Sequence, residues 1–388
     1  MSTVIMAHKI RLKPTLQEET FLEKCCGTSR FVYNYGLSEI KNCLSNNKKA
    51  PSWMQIDKQL NSIKKQEYPW MYEVPSCIGQ QALSHLGSAV SRFFKKISKF
   101  PVFKKKGQQE SFTLNNRTAH IEIDTGNRLC ITKDIHIKMY EKCRFAGKIM
   151  SYSLRKTANR WYVSVTVEIE KPENLPLNES QVGVDLGIKH FLTASDGRVV
   201  ENPKFLRNGL KKIKRLQRLV SRKVKGSKNR LKAKMRLANA HFKISNLRKD
   251  FLHRTTTQLI KAYGIIKIED LNVKGMLRNH KLALAISDVG WSEFVRQLCY
   301  KSELYGRTII KIPRFFPSSK TCSQCNTVKP ELKLSQRFFV CESCGLILDR
   351  DLNAAFNIQK YTGIVPEFKP VEISVSESMK QEELFCQQ

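Results

Sequence analysis

Apolar side chains fall at every second position in residues 4–13, VIMAHKIRLK, which is the period of a half-buried strand. Pro14 and Thr15 then open a helical stretch whose first turn carries Gln17, Glu18 and Glu19, where carboxylates suit the positive end of a helix. Helical spacing continues, with breaks, to about residue 96. Its later part, from Pro75 to Lys96, sets Ile78, Ala82, Leu86, Val90 and Phe93 on one stripe, with Ser76 in the N-cap position. After Gly107 the period returns to two, in HIEID, RLCITKDIHIKM, KIMSYSLRK and RWYVSVTVEIE. These segments predict a small antiparallel barrel or sandwich over residues 1–14 and 97–175. The N-terminal strand joins it, so residues 15–96 form a helical insertion. Lys171 to Pro176 reads as a linker.

From residue 181 the pattern is α/β. VGVDLGI and HFLTASDG predict a hairpin, GIIKIED a buried strand and RTIIKIP another, with a helix over 287–305 between the last two. Between the hairpin and GIIKIED, Leu210, Ile213, Leu216 and Val220 make one apolar stripe, and Leu231, Met235, Ala238 and Phe242 make the next. With a break at Gly226-Ser227, residues 201–262 predict an αα-hairpin.

At 388 residues and 41% hydrophobic content the chain is a folded protein of two or three domains. Its net charge of +34 calls for a polyanionic partner, nucleic acid first. A membrane is not expected, because no apolar run approaches the ~18 residues that span one and no lipidation motif is present. The opening MSTVIMAHKIRLKPT lacks the apolar core of a secretory signal, and eight cysteines are scattered without framework spacing; both point to the cytoplasm. Residues 201–260 hold 19 Lys and Arg against only Glu201 and Asp250. A merely solvated face mixes signs, so this stretch predicts a nucleic-acid surface.

Cys322, Cys325, Cys341 and Cys344 form a C-x2-C array with fifteen residues between the pairs, the spacing of a zinc ribbon, here over 316–346. Four thiolates leave no open position, so this zinc is structural and any chemistry falls to nearby carboxylates. Asp185 ends the strand VGVDLG, Glu269 ends IIKIE, and Asp351 stands where the segment after the ribbon turns into the helix NAAFNI. Strand ends and a following helix start converge on one edge of an α/β sheet. Three acids there are the minimum for two Mg²⁺ ions acting on a phosphodiester. Asp349, two residues from Asp351, does not share its helix face and reads as a supporting or capping residue.

Together, VGVDLGIKHFLTASDG, IKIEDLNVKGM, FFPSSKTCSQC and CESCGLILDRDLNAAFNI resemble the C-terminal half of TnpB proteins, the OrfB products of bacterial insertion sequences, which are related to type V CRISPR effectors. The likeness extends upstream through KIRLKPTLQEE, SRFVYNYGL, PSCIGQQAL, FPVFKKKG, SRKVKGSKNRLKAKMRLA and WSEFVRQLCYKSELYG, and leaves out only the last ~25 residues. It implies an α/β RNase H-like (RuvC) nuclease domain over 181–362 with an inserted zinc ribbon, with Asp185, Glu269 and Asp351 as catalytic acids. It further implies that the antiparallel β-barrel is a wedge domain and its helical insertion a recognition domain. The activity implied is RNA-guided DNA cleavage beside a short motif, in a prokaryotic cell at the nucleoid. The partners implied are a guide RNA from the element's end, double-stranded target DNA, and the element's own transposase acting alongside. A non-cleaving RNA-guided regulator and a transposase or accessory protein of transposition are the alternatives. The acidic, polar segment 363–388 reads as a flexible tail.

Arg215, Arg218, Lys223, Lys228, Arg230, Lys232, Lys234 and Arg236 of the predicted hairpin suit phosphate contacts, which hold a guide–target duplex without reading it. Lys104, Lys105 and Lys106 follow Phe100 and Phe103 in a stretch suited to RNA or duplex. Gln80 and Gln81 are candidates for adenine in a major groove.

Overall fold

The N-terminal strand is captured by a partner 151–167 residues further along the chain: β1 (Thr3–Lys13) pairs antiparallel with Arg160–Glu170 along most of its length, from Thr3 opposite Glu170 to Arg11 opposite Tyr162. The computed structural model describes residues 3–108, 110–115, 122–332 and 336–363. The chain divides into two compact units, Met1–Lys171 and Pro172–Gln388, at the predicted linker.

In the first unit β1 is followed by α1 (Leu16–Ser45), α2 (Trp53–Glu67) and α3 (Cys77–Phe94), then by β2 (Ser111–Asn115), β3 (Glu122–Ile123), β4 (Arg128–Thr132), β5 (Ile135–Met139), β6 (Lys148–Thr157) and β7 (Arg160–Glu170). The strands form one curled antiparallel sheet in the order β2-β6-β7-β1-β5-β4-β3. Ile10, Leu12, Phe112, Leu114, Leu129, Ile137, Tyr152, Leu154, Val163 and Val165 point into its core, as the period of two requires. The sheet's described edges are β2 and β3. The first residues of the expected HIEID strand lie outside the described residues. Thr15 caps α1 through a capping box with Glu18. The three helices share a core of their own, built from Val32, Leu37, Ile56, Leu60, Leu83 and Leu86. Ser76 does precede α3, but its backbone is already helical and its side chain makes no cap hydrogen bond, so the expected cap is absent.

The second unit contains β8 (Gln181–Leu186), β9 (His190–Ala194), β10 (Val199–Glu201), α4 (Phe205–Ser221), α5 (Lys228–Ala262), β11 (Ile265–Glu269), α6 (Val273–Met276), α7 (Ala283–Val289), α8 (Trp291–Tyr305), β12 (Thr308–Ile312), β13 (Phe338–Val340), β14 (Ile347–Asp349) and α9 (Arg350–Lys360). Its main sheet has the order β10-β9-β8-β11-β12. The β8-β9-β10 side is an antiparallel meander, whereas β8, β11 and β12 run parallel. Val182, Val184, Ile266 and Ile268 pack with Leu252 and Leu259 of α5 and Phe294 and Leu298 of α8. Residues one position away in β8 and β11 therefore face the opposite side, where α9 lies.

The helix expected over 287–305 is two helices, because Gly290 takes φ +76° between α7 and α8. Leu231 is 60% exposed, so the buried stripe of α5 begins further along than the sequence pattern suggests. The break at Gly226-Ser227 is present: Gly226 has φ +85°, and Ser227 Oγ accepts the Arg230 amide at 3.1 Å. The start of α4 carries no cap of its own; buried Asp288 of α7 accepts the amides of Leu206 and Arg207 and an Arg248 guanidinium hydrogen bond at 3.0 Å. One carboxylate thus anchors both helices of the basic hairpin.

Candidate active site

Helix α9 runs antiparallel to β8, and the contacts fix their register. Gln359 Nε2 donates to the Gln181 carbonyl oxygen at 2.8 Å. A Cβ added to Gly183 would come within 2.1 Å of the Ala355 carbonyl oxygen, so only glycine lets the helix backbone lie this close. Two strand residues advance ~6.6 Å and four helix residues ~6 Å, so the next step of the same register sets Asp185 against Asp351. On the neighbouring strand Ile265, Ile266, Lys267 and Ile268 pair with Gln181, Val182, Gly183 and Val184. Continuing by one position carries Glu269 beside Asp185, on the face toward α9. The three acids predicted from strand ends and a helix start therefore meet, and all three are half-buried.

The electrostatics agree with this placement. Burial, followed by the charges of Glu269 and Asp351, holds Asp185 well above the usual carboxylate range. Burial also pushes Glu269 up, while Ser318 Oγ, donating to Glu269 Oε1 at 2.5 Å, pulls the other way. Arg350 Nη2 lies 3.4 Å from Asp351 Oδ1. Neighbouring carboxylates with little cationic compensation are the donor type a hard divalent cation takes, although the three do not form a single cluster with all ligand oxygens within 4.8 Å of one another. Asp349 accepts the amides of Asp351 and Leu352 at 2.9 and 3.2 Å and is the N-cap of α9, the supporting role expected of it.

The four cysteines converge as the spacing demands, their sulfur atoms all within 4.8 Å of one another. Cys322 and Cys344 lie 3.6 Å apart, and Cys325 and Cys341 3.5 Å. Tetrahedral zinc with Zn–S bonds of ~2.3 Å needs sulfurs about 3.8 Å apart, so the cluster fits zinc. The two knuckles repeat one design. The Cys322 and Cys341 amides donate to the carbonyls of Thr327 and Leu346, and the carbonyls of the same cysteines accept from Asn326 and Gly345. Asn326 and Gly345, each just after its knuckle's second cysteine, take φ +62° and +75°. The hydroxyl and amide of Thr327 lower the Cys325 thiol, while its sulfur neighbours raise that of Cys344, as expected when adjacent thiols share one site.

The connection between ribbon and site is explicit. Two asparagines of α9, both buried, hold the start of the ribbon. Asn353 accepts the Ser323 amide at 2.9 Å and donates to the Thr321 carbonyl at 2.7 Å; Asn357 donates to the carbonyls of Ser318 and Thr321 at 2.7 and 2.6 Å. Lys360 adds a hydrogen bond to the Ser323 carbonyl. At the other end of the ribbon, Arg350 bonds the carbonyls of Arg337 and Gln336. On the sheet side, buried Lys267 donates to the carbonyls of Gln359 and Tyr361 at 2.7 and 2.8 Å and satisfies the C-terminal end of α9. Sequence reading passed over Asn353, Asn357, Ser318 and Lys267. A signal existed for three of them: asparagines four apart on the apolar face of NAAFNI and a lysine inside an isoleucine strand are polar groups that need partners.

The expected nucleic-acid residues divide into groups. Arg215, Arg218, Lys223, Lys228, Lys232, Lys234 and Arg236 are exposed on α4, α5 and the turn between them. Arg230 is half-buried and donates to the Lys223 carbonyl at 2.7 Å, closing that turn. In the first unit Lys105 and Lys106 are exposed. Lys104 instead folds back, its ammonium 4.1 Å from the Tyr33 ring centroid and its backbone bonded to the Asn34 amide. Gln80 and Gln81 are half-buried on α3.

Comparison with known proteins gives three family matches. They are the OrfB family of IS605 elements, described as a probable transposase, at residues 164–280; a Cas12f1-like TNB domain at 291–358; and an OrfB helix-turn-helix domain at 1–49. In this chain the last segment forms a strand and one long helix. A Streptomyces pristinaespiralis protein provisionally named an RNA-guided DNA endonuclease is 37% identical, over 92% of this chain and 89% of its own length. The Escherichia coli K12 protein InsQ, of the same provisional name, is 32% identical over 91% of both chains. Among solved structures, Cas12f1 in complex with sgRNA and target DNA aligns with a TM-score of 0.59 at 13% identity, covering 92% of this chain and 99% of that one, which shows a shared fold. With identity above 30% along nearly the full length of two such relatives, the chain belongs to the TnpB (OrfB) family.

Proposed function

We propose that the protein is an RNA-guided DNA endonuclease whose catalytic acids are Asp185, Glu269 and Asp351, in a RuvC-like domain. The observation that carries this reading is the convergence of the three acids, imposed by the Gly183–Ala355 seat and the β8–β11 register. The names of the relatives at 37% and 32% identity supply the substrate class, DNA, and guidance by RNA.

A pair of Mg²⁺ ions held by the three carboxylates would supply an activated water and a counter-charge for the leaving oxygen. The residues of this chain do the rest. Ser318 fixes the rotamer of Glu269, Arg350 steadies Asp351, and the Asp349 cap holds the first turn of α9 in place. The exposed cations of α4 and α5 bind phosphates and fix the position of a duplex without reading its sequence. The first unit would serve as wedge and recognition domain for guide RNA and the short DNA motif, with the element's transposase acting separately. A non-cleaving regulator is disfavoured, because a chain that has no use for chemistry gains nothing from three mutually repelling carboxylates.

The test is cleavage by the full-length protein purified with its co-expressed RNA. In Mg²⁺ it cuts a duplex matched to that RNA and leaves a scrambled duplex intact. Equal cutting of both, or cutting without RNA, contradicts the reading.

A further inference from the structure

We propose that the β3–β4–β5 corner of the first unit is a second metal site, for a borderline transition cation such as Zn²⁺, with Asp124, Cys130 and His136 as ligands. Their ligand atoms all lie within 4.8 Å of one another.

The strand register builds this cluster. Glu122 of β3 pairs with Cys130 of β4, and Cys130 pairs with His136 of β5, so the three occupy one row across the sheet. Cross-strand partners share a face, and it is the outer one, because Leu129 and Ile131 on either side of Cys130 point into the core. Asp124, two residues after Glu122, returns to the same face at the turn. Asp124 Oδ1 accepts the Arg128 amide at 2.7 Å, which fixes the carboxylate beside the cluster.

His136 is set up as a ligand. Its Nε2 lies 2.7 Å from the Lys133 carbonyl oxygen, and a carbonyl can only accept. The ring proton therefore sits on Nε2, and the Nδ1 lone pair faces Cys130 Sγ at 3.0 Å. A backbone carbonyl that fixes the tautomer in this way is the usual partner of a metal-binding histidine. Tetrahedral zinc places a sulfur and a nitrogen ligand about 3.6 Å apart, so an opening of about half an ångström seats the ion.

The donor set narrows the ligand. A thiolate and an imidazole disfavour Mg²⁺ and Ca²⁺, which take oxygen, and suit Zn²⁺ or Co²⁺. Three protein ligands leave the fourth position to water or to the neighbouring carboxylate of Glu122. On binding, the Cys130 thiol gives its proton to solvent. The ion would tie down β3, a strand of two residues whose ladder alone holds it weakly.

The experiment is equilibrium dialysis of the reduced full-length protein against micromolar Zn²⁺, followed by measurement of metal per chain. The expected result is two zinc ions in the wild type and one in both Cys130→Ala and His136→Ala. His136 is exposed, so its replacement leaves the fold intact. Titration with Co²⁺ gives a second reading. The second equivalent adds a sulfur-to-metal charge-transfer band of about a quarter the intensity of the ribbon's, since one thiolate replaces four, and Cys130→Ala removes it. One zinc per chain in the wild type, or two in both variants, overturns the proposal.

Discussion

Gly183 lies directly beneath the carbonyl of Ala355, at a distance no other residue permits. This approach sets the register between β8 and α9 and brings Asp351 over Asp185. Gly183→Ala must push the helix away from the sheet. Overpacking of this kind costs about 1–3 kcal/mol, and the displacement is applied one helical turn from Asp351. The expected outcome is a lower melting temperature together with a loss of cleavage of at least about 100-fold, the scale of a 1 Å misplacement. Cleavage at the wild-type rate in a folded Gly183→Ala protein would show that this close approach does not set the site.

Asp185 is held well above its ordinary range by burial and by Glu269 and Asp351. For an acid whose folded value is raised, the folded state binds its proton more tightly than the unfolded chain does. Its ionisation therefore lowers stability as pH rises from the ordinary carboxylate value through the raised folded one. Asp185→Asn removes the penalty. Without divalent metal the variant should melt several degrees above the wild type at pH 7 and show no advantage at pH 3. Added Mg²⁺ should stabilise the wild type and leave the variant unchanged. Thermal melts at the two pH values, with and without Mg²⁺, decide the matter.

The ribbon and the acids share one helix. Asn357 holds the carbonyls of Ser318 and Thr321, and Ser318 in turn holds Glu269. Asn357→Leu leaves the buried Ser318 carbonyl without this partner, at a cost of about 1–3 kcal/mol, takes one of two side-chain donors from the Thr321 carbonyl, and frees Ser318. Cleavage should fall by more than the loss of fold explains, with binding of guide and target retained. Removing the zinc with a chelator should reproduce both effects, because the loop from 318 to 323 is anchored by the ribbon on one side and by α9 on the other. Chelated protein that stays folded and cuts normally would break this link.

Much of this was legible in the sequence. The periods of two and 3.6 located the strands and helices, cysteine spacing located the ribbon, and strand-end acids located Asp185 and Glu269. Less legible was whatever depends on a partner distant in sequence. Nothing near Phe205 shows that Asp288 caps α4, and nothing near Lys104 shows that Tyr33 takes its ammonium. Gly290 was visible as a residue, but the helical spacing on both sides masked the break it causes. The row of Glu122, Cys130 and His136 exists only once the strand register is known.

The basic hairpin should act through charge alone. Replacing Lys228, Lys232, Lys234 and Arg236 by glutamine removes four exposed cations and leaves the fold untouched. The slope of log binding constant against log salt should become shallower by up to about 0.9 for each phosphate that is no longer neutralised, equally for every guide sequence. A change confined to one target sequence would mean that these side chains read bases.

If Asp185, Glu269 and Asp351 act as one phosphodiesterase site, binding and cleavage of a guide-matched duplex must separate when any one of them is lost. Measured side by side in Mg²⁺, the wild type should cut, Asp185→Ala, Glu269→Ala and Asp351→Ala should each bind the duplex within about threefold of it, and none of the three should cut by a detectable amount. A variant that cuts at the wild-type rate, or a wild type that binds the matched duplex and never cuts it, would show that the three acids are not the phosphodiesterase site.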